Sequence, residues 1–222
     1  MPMDGTYHYW MNGRQVDITE TFRITLNDQS DSVIEAERIA PAFDSRIDSQ
    51  AFYKNGRISH FEIEWQNNGT NAVKYASAHY QFTSDMIIVN RNIDEQAFRE
   101  MLPMPEVFVV LPLLQIFMGK AILEAFELGH GNRVPVLIPI TRDPNDKVQL
   151  LALELEIRFV NHIGQEVITV NNEDYSANVF NFAGNSGQDT KFWIAENNIL
   201  LKHEWQEYPN QAWEARLVNH SQ

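Results

Sequence analysis

Apolar and polar residues alternate over much of the stretch from Tyr7 to Arg91. Phe22, Ile24 and Leu26 alternate with Arg23 and Thr25. Ile58, His60, Glu62 and Glu64 fall on one face of a second run, and Ser59, Phe61, Ile63 and Trp65 on the other. A period of two puts successive side chains on opposite faces of a strand, so this pattern predicts a sheet with one dry face and one wet face. Turn signals separate the runs. Asn12-Gly13, Asn55-Gly56 and Asn68-Gly69 are pairs that accept the positive φ of two-residue hairpins, and 27–31 is a longer polar turn. The segment from Tyr7 to Arg91 therefore reads as a β-meander.

The texture changes from Ile93 to Leu128. Asp94 to Glu100 predicts a helix start, with acids in its first turn. Met101 to Pro105 predicts a break, because each proline biases its predecessor away from helix. Glu106 to Leu128 is the most apolar segment. Leu113, Phe117, Ala121 and Leu128 stand near helical spacing, as do Leu114, Met118, Ile122 and Phe126. The spacing predicts one long helix with a wide apolar arc, ended by Gly129-His130-Gly131.

Strand patterns then return at Val134–Ile140, Val148–Val160, Glu166–Val170, Ala177–Phe182, Thr190–Ala195, Ile199–Trp205 and Trp213–Val218. The turn at 184–187 is one of the signals between them. The total is roughly eleven to twelve strands with one main helix. The fold expected is mainly β: a curled antiparallel barrel or half-barrel, with a long apolar helix packed in or across its opening. Residues 1–222 read as a single β-barrel-like domain with a helical insertion at about 94–128. A sheet of that many strands has to curl or fold over itself.

Composition narrows the function. The chain has 222 residues, of which 44% are apolar and 21% charged, an ordinary globular balance. It contains no cysteine, which excludes disulfides, thiolate metal sites and cysteine nucleophiles. Thirty acidic against seventeen basic residues gives −13, the wrong sign for nucleic acid or an anionic membrane surface. The apolar run from Val107 to Gly119 is shorter than the about twenty residues of a membrane span. Met1 to Tyr7 lacks the basic and apolar regions of a secretory signal. A cytoplasmic location is expected, or a periplasmic one if a signal has been removed.

Two stretches carry a resemblance. One is Val134-Pro135-Val136-Leu137-Ile138-Pro139, then a long strand pair, then Phe192-Trp193-Ile194-Ala195-Glu196-Asn197-Asn198-Ile199-Leu200-Leu201-Lys202-His203-Glu204-Trp205, followed by Trp213 to Val218. The other is the opening hairpin from Tyr7 to Arg14. Both resemble the bacterial DUF3108-like proteins, whose ends carry a hairpin of this texture and a closing strand. The resemblance implies an open barrel related to carriers of lipids and lipoproteins.

Motifs of catalysis are missing. No Gly-x-Ser-x-Gly elbow occurs, no phosphate loop, and none of the seven histidines has local metal-ligand spacing. Neither a cofactor nor a metal is expected. His60 and Glu62 share a strand face, as an acid–base pair or as a solvated face. Arg46 lies in the charged stretch from Ala36 to Asp48, suited to orienting a polar head or to making surface ion pairs. Tyr80 is a candidate buried donor. Trp10, Trp65, Phe117, Trp193 and Trp205 are candidates to line a ligand cavity, although aromatics more often form core.

Three functions follow. The first is binding of a hydrophobic small molecule or lipid in the barrel. The second is a cofactor-independent isomerase or cyclase that folds a hydrophobic substrate there, using His60, Glu62, Tyr80 or Arg46. The third is an assembly protein, for example a homodimer, with the apolar helix as its interface. The direction in which the helix faces separates them.

Overall fold

The computed structural model describes residues 2–26, 31–69, 73–129, 133–184 and 190–221. The turn expected at 27–31, His130 and the turn at 184–187 lie wholly or partly outside the described residues. Fifteen strands form among those described. They are β1 (Met3–Met11), β2 (Arg14–Leu26), β3 (Ser32–Ala40), β4 (Ser45–Lys54), β5 (Arg57–Asn67), β6 (Tyr75–Phe82), β7 (Met86–Ile93) and β8 (Gln96–Pro103). After the short β9 (Val109–Val110) comes the helix α1 (Gln115–Gly129). Then follow β10 (Arg133–Pro139), β11 (Leu153–Val170), β12 (Glu173–Ala183), β13 (Lys191–Ala195), β14 (Leu200–Tyr208) and β15 (Gln211–Ser221).

All fifteen belong to one sheet, ordered β8-β7-β6-β5-β4-β3-β2-β1-β15-β14-β13-β12-β11-β10-β9. Every adjacent pair is antiparallel except β9 and β10, which run parallel. The two ends of the order do not pair with each other, so the sheet is open. It is nevertheless curled. The loop between β10 and β11, near one end of the order, touches β6 and β7, near the other. The Arg91 guanidinium donates to the carbonyls of Val148 and Leu150 at 2.9 and 2.8 Å, and the Tyr80 hydroxyl donates to Leu151 at 2.6 Å.

The period-two pattern translates directly into faces. Tyr7 and Tyr9, Ile18 and Phe22, Phe61 and Ile63, and Ile87 and Val89 are buried on one side. The sheet's dry face wraps α1, where Phe117, Ile122 and Ala125 are fully buried. Full burial of each large apolar side chain stabilises by about 1.5–3 kcal/mol. Gly119 lets the helix backbone lie against the turn before β14. A Cβ there would stand 2.2 Å from the Asn198 carbonyl oxygen.

Several expectations are corrected. The helix spans fifteen residues, not the long apolar element expected over Glu106–Leu128. Pro105 and Pro112 remove backbone donors and impose extended geometry on their neighbours, so Val109 and Val110 pair with β10 instead. The helix begins only at Gln115, and it packs inside the sheet. The start expected at Asp94–Glu100 is a hairpin. Asp94 and Glu95 have φ of 44° and 70°, the turn between β7 and β8. The Asp94 carboxylate accepts from the amides of Lys74 and Tyr75, which rewards that turn over a helix cap. Fifteen strands stand in place of eleven or twelve, partly because β8 and β9 arise from segments read as helix. Residues 148–152 are loop, while the runs read as two strands from Leu153 to Val170 are one strand bent at a bulge near Gly164. Asn12-Gly13 and Asn55-Gly56 make two-residue turns with positive φ, but the β5–β6 connection at Asn68-Gly69 is longer.

Candidate functional site

The residues singled out in the sequence do not converge. His60, Glu62 and Arg46 stand on the wet face. The His60 ring stacks on Phe52 at 4.0 Å, and its Nδ1 is 3.1 Å from the Ser59 hydroxyl. Partial burial, with His79 nearby, lowers its pKa, and Glu62 opposes this. Glu62 lies 3.7 Å from His79. Arg46 pairs with Glu37 at 2.8 Å and Asp48 at 2.9 Å. Arg46 and Glu62 both line a polar groove of about 800 Å³ that also holds Arg23, Glu35 and Glu64. Tyr80 is on the opposite, dry face, stacked on Phe61 at 4.1 Å.

The candidate ligand aromatics are likewise dispersed. Phe117 is core. Trp193 is buried beneath Lys202 and donates to Glu166 at 2.8 Å. Trp65 donates to the Ser45 hydroxyl at 2.9 Å. Trp10 lies under Arg216. Trp205 stacks on His203 and Trp213. Trp10 and Trp205 do meet at one groove of about 500 Å³ near the β14–β15 turn, together with Glu204 and Glu214. No three histidine or acidic side chains converge as a metal site among the described residues.

Two sites went unread in the sequence. The first is a buried polar cluster at the start of α1. Glu20 sits on the dry face of β2, fully buried, opposite Arg38 of β3. Tyr9 donates to its carboxylate at 2.7 Å, and the Ile116 amide at 3.3 Å. The carboxylate therefore caps the positive end of the helix. Burial still outweighs Arg38 and these hydrogen bonds, and holds the Glu20 pKa above the usual carboxylate range. Beside it, Gln115 contacts His203 Nδ1 at 3.1 Å, and burial lowers the His203 pKa to about 3. The signal was available: Ile18, Glu20 and Phe22 alternate so that an acid falls on the apolar face.

The second is a half-enclosed cleft of about 260 Å³ between α1, the β4–β5 turn region and the segment before β9. Ile58, Phe108, Val110 and Ala121 supply apolar wall, and Val107 and Leu128 stand at the exposed rim. Tyr53, Arg57, Glu106, Lys120 and Glu124 supply the polar groups. Lys120 and Glu124 are one helical turn apart, so both face the same side. The Lys120 ammonium lies over the Tyr53 ring, 3.8 Å from its centroid. Partial burial lowers the Lys120 pKa, opposed by Glu124, and raises that of Glu124, opposed by Lys120 and Arg57. Burial also raises the Tyr53 hydroxyl, which stays protonated. The sequence signal was a lysine and a glutamate one turn apart within a largely apolar helix.

Comparisons with known proteins address the fold. No family model matches the chain, and no curated protein does. The DUF3108 resemblance is thus not shown. One solved structure is similar along nearly the whole length: a β-barrel-like protein of the domain of unknown function DUF1849 from Brucella abortus. It is 10% identical with a TM-score of 0.60, covering 99% of this chain and 97% of that one. A DUF1329 family protein from Desulfovibrio piger is 8% identical with a TM-score of 0.22, over 99% of this chain and 83% of that one, too low a score to argue from. The first likeness shows a β-barrel-like fold. Among the described residues no helix is long and apolar enough to cross a membrane.

Proposed function

We propose that this chain binds a small amphipathic molecule, with an apolar body and a polar end, in the cleft beside α1. The observation that carries this reading is the half-buried Lys120 and Glu124 set against apolar wall. Burying charge costs free energy, and Lys120 rests on an aromatic ring rather than on a carboxylate. Groups left in that state suit a ligand's polar end.

Size decides the ligand class. Ligand pockets typically run from about 300 to 1,000 Å³, and this cleft is about 260 Å³. It suits a compact molecule. A two-chain lipid would require α1 to leave the sheet, against the full burial of Phe117 and Ile122. The same burial argues against α1 as an interface between copies.

The test is titration with N-phenyl-1-naphthylamine, a small apolar fluorophore. Saturable binding is expected in the native chain. Val107→Trp should weaken it by about tenfold, some 1.4 kcal/mol, because Val107 lines the cleft and is exposed enough to take a larger side chain without disturbing the core. Binding that is unsaturable, or indifferent to that substitution, would refute the reading.

A further inference from the structure

We propose that Lys120 is a nucleophilic amine that captures an aldehyde or ketone with an apolar body, as an imine, within the cleft beside α1. This rests on the cleft being the ligand site. Three features of the geometry point to it. The amine lines a half-enclosed space instead of open solvent. It is positioned over the Tyr53 ring, which restrains the long side chain. Glu124 lines the same cleft one helical turn away, where it can hold or give up a proton.

The chemistry balances without an oxidant or reductant. The neutral amine nitrogen attacks the carbonyl carbon, and the carbonyl electron pair moves to oxygen. A proton passes from nitrogen to that oxygen, giving a carbinolamine. Protonated Glu124 then donates to the hydroxyl, which leaves as water as the C=N bond forms. The resulting iminium gives its proton back to the Glu124 carboxylate. One carbonyl compound and one amine give one imine and one water. The apolar wall holds the body of the substrate and limits access of the water that would reverse the step.

Both ionisable groups lean in the required direction. Burial lowers the pKa of Lys120, so more of it is neutral near pH 7 than of an exposed lysine. The ring face and Glu124 favour the ammonium, and burial outweighs Glu124 in the balance. Burial raises the pKa of Glu124 against the nearby charges of Lys120 and Arg57, so it retains a proton more readily. The other lysines differ. Lys147 is paired with Asp94, and Lys202 with Glu204 and Glu214. Lys54, Lys74 and Lys191 are exposed.

The experiment is reductive trapping. The full chain is incubated with 2-naphthaldehyde and sodium cyanoborohydride from pH 6 to 9, and the modified lysine is found by peptide mass spectrometry. Labelling at Lys120 should exceed that at any other lysine by about tenfold at pH 7. The excess should shrink as pH rises and the exposed amines deprotonate. Lys120→Arg keeps a cation to stack on Tyr53 but removes the nucleophile, so it should fold normally and lose the dominant label. Glu124→Gln, which cannot hand over a proton, should slow trapping at Lys120; N-phenyl-1-naphthylamine binding is followed in parallel on the native chain. Even labelling of all lysines, with that binding intact, would overturn carbonyl capture and leave the cleft reading standing. Even labelling with no saturable binding would overturn both.

Discussion

Glu20 shows how one residue can tie the helix to the sheet at a cost. Its carboxylate accepts from Tyr9 and from the first turn of α1, yet burial dominates and raises its pKa. The sign of the pH effect follows. A group whose folded pKa is raised contributes its stability below the unfolded value, and that stability is lost as pH rises through the folded pKa. Glu20→Gln keeps an acceptor oxygen and removes the charge. The melting-temperature difference between this variant and the native chain should therefore shift in the variant's favour from pH 4 to pH 8. A difference flat across that range would show that burial does not dominate at Glu20. The alternation through Ile18, Glu20 and Phe22 placed this acid on the dry face. Its partners Gln115 and Ile116 stand far along the chain, so no local pattern could reveal them.

At the scale of elements, α1 is defined by what surrounds it. Its apolar residues span a wide arc that leaves one side to Lys120 and Glu124, and its length is set by proline. Pro112 ends the extended segment, and the helix starts three residues later. Gly119 decides how closely α1 approaches β14. In an isolated helix, alanine would be favoured over glycine there by about 1 kcal/mol. Here the new methyl would meet the Asn198 carbonyl and the Leu200 amide, both backbone atoms that cannot rotate away. Gly119→Ala should thus destabilise the protein by about 1–3 kcal/mol in urea denaturation, and a gain in stability would refute the close packing. The hairpins tell the converse story. Asn12-Gly13 and Asn55-Gly56 were readable because the conformation they favour is local. Asp94-Glu95 was misread because acids suit both a helix start and a tight turn, and contacts from the β5–β6 connection and Lys147 favour the turn.

At the scale of the whole molecule, the open sheet is held in its curl by side chains at the seam. Arg91 is buried and holds two loop carbonyls and the Glu100 carboxylate, while Tyr80 holds a third carbonyl. Leu150 and Leu151 are buried in the same loop, and Leu151 has a φ of 59°, costly for a bulky residue. Arg91→Met would leave those carbonyls and Glu100 without their partner. It should cost about 2–5 kcal/mol and speed amide exchange in residues 140–152, with β1 and β2 unchanged. If exchange rose equally everywhere, the seam would not be a separate unit of stability.

Local pattern was enough to establish the β class, the two faces of most strands and two of the tight turns, and it pointed to a helix without fixing its length. Each of these depends on contacts within a few residues or on a simple period. The packed molecule was needed to show that the helix lies inside the sheet, that the order of strands stays open, and that Arg91 and Tyr80 close the seam. It was needed too for the facing of His60, Glu62 and Arg46 to water and of Tyr80 to the core, and for the meeting of Lys120 and Tyr53 across a cleft. These outcomes depend on pairs far apart in the chain, brought together only when the sheet curls. A period of two assigns a side chain to a face, but only the curl decides what stands opposite it.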